Sequence, residues 1–138
     1  MVDEVKPPEA WYILQQDPRA VLLDVRSHVE FDYVGHPPGA VNIPWKDPPN
    51  APVDPNFVDK VYTALKRLNP QAEPVEELTI LALCRSGARS RAAGEVLQAR
   101  GFKHVYNIAE GFEGDRDSNR HRGMINGWRA HNLPWEQS

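Results

Sequence analysis

The run AVLLDV, residues 20–25, constrains the fold of this 138-residue chain more than any other stretch. Its apolar, β-rich residues do not alternate with polar ones and end on a charged residue, which suits a strand buried on both faces. Such a strand needs helices above and below it. LTILALC (78–84) is the most strand-like segment, and AVNIP (40–44) and HVYNI (104–108) are shorter strands. Helical patterns lie between them. PPEAWYILQQDP has prolines at its start and is closed by Asp17-Pro18. SHVEFDYVGH has Ser27 as N-cap and Glu30 at capping-box spacing, and Gly35 ends it. From Asn56 to Asn69, Phe57, Val58, Val61, Tyr62, Leu65 and Leu68 recur at helical spacing until Asn69-Pro70 stops them. Ala92, Ala93, Val96 and Leu97 mark the inner face of a helix expected to begin near Ser90 and to end at Gly101. GWRAHNL (127–133) gives a last helical turn or two.

Seven of the thirteen prolines fall between Pro37 and Pro55, so that stretch is expected to be a helix-free loop. Strands alternating with helices imply an α/β fold, with a mainly parallel central sheet flanked by helices on both faces. The expectation is one domain over residues 1–138. In such sheets ligands bind outside the carboxyl ends of the strands, where Asp24 and Cys84 both lie.

Composition narrows the function. A hydrophobic content of 41% supports an ordinary core, and a net charge of −3 gives no basic surface for nucleic acid. No run of eighteen apolar residues predicts a membrane span. The acidic, proline-bearing start does not resemble a secretory signal, so the expected location is the cytoplasm. The single cysteine excludes an internal disulfide and a Cys-based zinc cluster. His36 stands near no second ligand and is not read as a metal site.

That cysteine sits between a strand and a helix, in C-R-S-G-A-R. Gly87 lets the backbone turn tightly, so successive N–H groups can point into a bowl. The following helix adds unsatisfied N–H groups and the positive end of its dipole. Arg85 and Arg89 add full charge. All three influences favour a thiolate and make Cys84 a candidate nucleophile. A small buried hydrophobe at a strand end is the bland reading of Cys84, but it has no need of a glycine and two arginines in the next five residues.

CRSGARS resembles the active-site loop of the rhodanese domains, specifically the single-domain sulfurtransferases. LLDVRSHVEF matches a first family motif through Asp24, Val25, Arg26 and Glu30. GHPPGAVNIP matches a second through His36, Gly39, Ala40, Asn42 and Pro44. The three occur in the family's order, over residues 21–135. The resemblance implies transfer of sulfane sulfur from a small anionic donor such as thiosulfate, through a Cys84 persulfide. The acceptor it implies is cyanide in an assay and a thiol or protein sulfur acceptor in cells. No metal or organic cofactor is required. Arg85 and Arg89 would hold the donor, and the backbone N–H groups of Ser86, Gly87, Ala88, Arg89 and Ser90 would stabilise the persulfide.

Asp24, Arg26 and His36 would frame the site, Asp24 by tying down a neighbouring loop. Arg26 and Glu30, four apart, are expected to pair. Cysteine phosphatases and arsenate reductases share the architecture, but their loops place five residues between cysteine and arginine. Here Cys84 and Arg89 have four between them, which encloses less space. A non-catalytic or relay module that binds a sulfur-handling partner is the other alternative. After the last strand the chain departs from the family with DRDSNRHRGMING, either a basic flap over the site or a solvated loop with its arginines paired to Asp115 and Asp117.

Overall fold

A computed structural model describes residues 2–138 and contains a five-stranded sheet whose pairings are all parallel. In chain order the elements are β1 (Asp3–Val5), α1 (Pro7–Gln16), β2 (Val21–Asp24), β3 (Val41–Asn42), α2 (Phe57–Leu68), β4 (Thr79–Leu83), α3 (Ala88–Ala99) and β5 (His104–Ile108). The strand order is β1-β5-β4-β2-β3, which puts the two most apolar strands side by side at the centre. From β2 the chain steps outward to β3, and from β4 it steps outward the other way to β5. The reversal lies between β2 and β4, the place where open α/β sheets hold ligands.

Strand geometry sorts the core into two layers. Leu22, Leu81, Leu83 and Ile108 face Ala10 of α1, Phe112 and Trp128. Val21, Leu23, Ile80 and Val105 point the other way, toward Val61 and Leu65 of α2 and Ala93 and Leu97 of α3. Alternate residues of one strand therefore fill opposite layers, as a period of two dictates. Leu23, Ile80 and Leu81 are wholly buried. Truncating one of them to alanine costs about 2–5 kcal/mol.

Local chemistry explains the ends of the elements. α1 opens on two prolines, where a missing N–H breaks no helical bond. α2 closes with the Asn69 N–H returning to the Leu65 carbonyl before Pro70. Among the described residues no helix is long and apolar enough to cross a membrane.

Four expectations are corrected. β1 is an additional strand, too short and too acidic to show in the pattern, and it exists by pairing with β5. α3 begins at Ala88 rather than near Ser90, because Gly87 turns the chain at once with φ +116°. Ser27 and Glu30 form the expected reciprocal cap (Oε1 accepts from the Ser27 N–H at 3.2 Å, Oγ from the Glu30 N–H at 3.3 Å), yet residues 30–34 wind as a wider π turn. Arg26 does not pair with Glu30, for each finds a stronger partner in the site.

Candidate active site

The carboxyl ends of β2 and β4 lie in register, Asp24 opposite Leu83, so Cys84 emerges beside Asp24. Cys84 is 1% exposed, at the floor of a four-residue loop, 84–87, that runs into α3. Its Sγ accepts hydrogen bonds from the Gly87 N–H (3.1 Å) and from the Ser90 hydroxyl (3.2 Å). The loop is bent into this shape from outside. The carbonyl of Cys84 accepts from the Phe112 N–H (2.8 Å), and that of Arg85 from Glu113 (3.0 Å) and Gly114 (3.2 Å). With those carbonyls drawn outward, the amides of Ser86, Ala88, Arg89 and Ser90 find no backbone acceptor among the described residues. They are free donors at the start of a twelve-residue helix, whose dipole adds positive potential.

Two glycines make the bend possible. Gly87 takes a left-handed conformation that a side chain would strain. Gly111 lets the following strand connection press against the loop: a Cβ there would stand 2.5 Å from the Arg85 carbonyl carbon.

The charges divide in a way the sequence did not indicate. Arg89 gives both terminal nitrogens to Glu30, each at 2.8 Å, in a bidentate, half-buried pair. Burial pushes the Glu30 carboxyl up, but the Arg89 hydrogen bonds and charge and the Ser27 cap outweigh it, leaving a pKa of about 2. Arg89 is held firmly charged by the same bonds. Arg85, by contrast, is exposed, and its guanidinium has no partner among the described residues.

Asp24 and Arg26 form a wholly buried ion pair, Oδ2 to Nη2 at 2.6 Å and Oδ1 to Nε at 2.9 Å. Arg26 also donates to the Gly35 carbonyl (2.7 Å) and lies 4.5 Å from the Phe112 ring centre. The pair thus ties β2 to the 35–36 turn and to the segment bracing the cysteine loop. His36 is buried, stacked on Phe31 at 3.8 Å, with Nδ1 3.0 Å from the Phe31 carbonyl. It exchanges two backbone hydrogen bonds with Glu136 and so fastens the C-terminal segment rather than facing Cys84.

Sequence reasoning missed Asn107 and Glu4. Asn107 is wholly buried at the end of β5, with its Nδ2 donating to Glu4 Oε2 (2.8 Å) and to the Gly87 carbonyl (3.1 Å). Those two acceptors fix the amide, so its Oδ1 must face the Ser90 hydroxyl. The signal available was a polar residue inside HVYNI, next to the strand bearing Cys84. The 115–127 segment lies on the same edge, and a cavity of about 650 Å³ opens there between Ser86 and Asp115, Arg116, Asp117, Arg120 and Arg122. Its arginines do not pair with Asp115 or Asp117, which bond Asn126 and backbone amides instead.

A thiol held by two hydrogen-bond donors, amides that lack a backbone acceptor and, at Arg85, a guanidinium without a partner among the described residues together make a site that can bind a small anion. Comparison with known proteins bears on the family and the fold. The model of the Rhodanese-like domain family matches residues 7–117. The uncharacterized protein RP600 of Rickettsia prowazekii is 31% identical over 142 residues, covering 99% of this chain and 98% of its own. The thiosulfate sulfurtransferase GlpE of Haemophilus influenzae is 27% identical, over 80% of this chain and 85% of its own. The crystal structure of Rv0390 from M. tuberculosis superposes with a TM-score of 0.84 at 35% identity, over 99% of this chain and 98% of that one.

Proposed function

This chain belongs to the rhodanese-like domain family, and from that membership we propose that it is a thiosulfate sulfurtransferase-type enzyme with Cys84 as the sulfur carrier. The observation that carries the reading is the Cys84 Sγ, held by the Gly87 N–H and the Ser90 hydroxyl beneath amides that lack acceptors.

In the first step the Cys84 thiolate attacks the outer sulfur of thiosulfate. A new S–S bond forms at Sγ, the S–S bond of the donor breaks, and its electron pair leaves with sulfite. The persulfide anion then occupies the bowl, where the free amides of Ser86, Ala88, Arg89 and Ser90 and the end of α3 face the added sulfur. In the second step a nucleophile takes that sulfur and the thiolate returns. A thiol would be the acceptor in the cytoplasm, the setting we assign to the reaction, and cyanide serves in an assay. With one cysteine in the chain, release must be to an outside acceptor.

We assign the two arginines different roles. Arg85, exposed and without a partner among the described residues, would draw in the donor anion. Arg89 would set the shape of the loop and lend it charge while engaged by Glu30. Against phosphate chemistry stands the length of the loop, with four residues between Cys84 and Arg89 where the cysteine phosphatases have five. Asp24, Arg26 and His36 would act as frame, through the contacts described above.

Intact mass after incubation with thiosulfate tests the proposal. The expected result is a gain of one sulfur atom, removed by reductant and absent from Cys84→Ser. No gain with either thiosulfate or a polysulfide would reject the reading.

A further inference from the structure

The cavity beside the cysteine loop is larger than an inorganic donor requires and falls in the usual range for organic ligands, about 300–1,000 Å³. Its walls are preformed. The Asp115 N–H donates to Asn126 Oδ1 (2.8 Å) and Asn126 Nδ2 returns to Asp115 Oδ2 (3.0 Å), closing the base of the segment. The Asp117 N–H bonds the His121 carbonyl at 2.8 Å, and the Gly123 N–H bonds the Glu113 carbonyl at 2.7 Å. Within this frame Arg116 and Arg120 have no side-chain partner among the described residues, and Arg122 spends one nitrogen on the Gly114 carbonyl (2.6 Å). Arg120 keeps its side chain at φ +64°, a conformation disfavoured for any residue but glycine. Asp115 and Asp117 each keep one carboxylate oxygen without a hydrogen bond among the described residues. Guanidinium and carboxylate groups thus stand in one cavity without neutralising each other, and Ser86 of the cysteine loop forms part of its wall.

We propose that this cavity is the acceptor site, and that the acceptor is a low-molecular-weight thiol carrying both carboxylate and ammonium groups. The inference rests on the sulfurtransferase reading and specifies its second half. The carboxylates of the thiol meet Arg116 and Arg120, and its ammonium group meets Asp115 or Asp117. Its thiolate is thereby directed past Ser86 toward the loaded cysteine. There it attacks the outer sulfur of the Cys84 persulfide: the new S–S bond forms on the acceptor, the bond to Sγ breaks, and the electron pair remains on Sγ. No oxidant or reductant enters.

The probe is glutathione, with cyanide and 2-mercaptoethanol as acceptors that lack its charges, in wild type and the Arg116→Ala/Arg120→Ala double variant. The KM for glutathione should rise about ten-fold, the scale of two exposed charge contacts. The values for cyanide, 2-mercaptoethanol and thiosulfate should stay within two-fold of wild type (~2). An unchanged glutathione KM, or an equal rise for every substrate, overturns the site. Calorimetric titration with S-methylglutathione, which cannot accept sulfur, separates this outcome from failure of the enzyme reading. Binding that depends on the two arginines upholds the site even if Cys84 never loads. Binding that is absent, or indifferent to them, rejects it.

Discussion

At the scale of single residues, the proposed reactive centre turns on one proton. The Ser90 hydroxyl carries one hydrogen and faces three acceptors: Cys84 Sγ, the Gly87 carbonyl and Asn107 Oδ1. Asn107 is pinned by Glu4 and Gly87, so it competes with the sulfur for that proton and cannot turn away. Two variants should therefore behave differently. Ser90→Ala removes a hydrogen-bond donor to the sulfur that attacks in the proposed reaction, and a bond to a charged attacking group is worth about 1.5–3 kcal/mol, so loading from thiosulfate should slow by about ten-fold or more. Asn107→Ala removes the competitor and leaves Ser90 free to serve Sγ, so loading should hold or quicken. Its buried amide is lost all the same, which should lower stability by about 1–3 kcal/mol. Stopped-time mass measurements and urea unfolding read both quantities. Equal slowing in the two variants would show instead that Asn107 works by holding Ser90 in place. Gly111→Ala is a harsher test of the loop than Gly87→Ala. The first drives a Cβ into the Arg85 backbone, while at Gly87 the nearest atom is 3.8 Å from the added carbon. Gly87→Ala then costs only the left-handed conformation, about 1–2 kcal/mol.

At the scale of elements, the cysteine loop is fastened to the turn after β2 by the Arg89–Glu30 pair, whose members lie 59 positions apart in the chain. Glu30 has its pKa lowered from 4.5 to about 2 in the folded protein. A lowered carboxyl pKa stabilises the fold fully above the unfolded value and loses that contribution as pH falls. The contribution of Glu30 should be intact above pH 4.5 and should fade between pH 4.5 and 2. Glu30→Gln should lower the melting temperature at pH 7, and its deficit against wild type should shrink across that acid window. A deficit that stays constant down to pH 2 would mean that packing, and not the ion pair, is what the variant lost. This fastening was not legible in the sequence, and the reason is physical. The i, i+4 spacing of Arg26 and Glu30 offers a local pair, but Asp24 is already inside beside Arg26 and takes it first. Glu30 is then left for an arginine that only the β2–β4 pairing brings near. The elements with strong periodicity, α2 and the runs of β2 and β4, were legible because the pattern that forms them is local. β1 was not, since two of its three residues, Asp3 and Glu4, are exposed acids and its order comes from β5. The cysteine loop was legible in its residues and order, while its electrostatic partners at Glu30, Asn107 and Glu4 depend on tertiary contact.

At the scale of the whole molecule, the buried Asp24–Arg26 pair joins otherwise separate parts of the structure. It sits at the reversal point of the sheet and reaches the Gly35 carbonyl on one side and the Phe112 ring on the other. Phe112 in turn faces Arg129 at 5.2 Å and Trp135 at 6.1 Å, and its own N–H holds the Cys84 carbonyl. A wholly buried carboxylate deprived of its partner is costly, about 3–5 kcal/mol, against a total stability of about 5–15 kcal/mol for a domain. Arg26→Met should therefore leave the fold only marginally stable in urea. The double variant Asp24→Leu/Arg26→Met removes both charges together, and Arg26 Nη1 has no hydrogen-bond partner among the described residues. It should recover much of that loss, because two apolar groups need no desolvation. Stability and activity should then separate. The double variant no longer grips the 35–36 turn, so its cysteine loop stands on a looser frame and should load sulfur more slowly than its urea midpoint implies. If the double variant loads at the wild-type rate, the pair serves folding alone. If it is no more stable than Arg26→Met, the cost lies in lost packing around Phe112 and not in the uncompensated charge of Asp24.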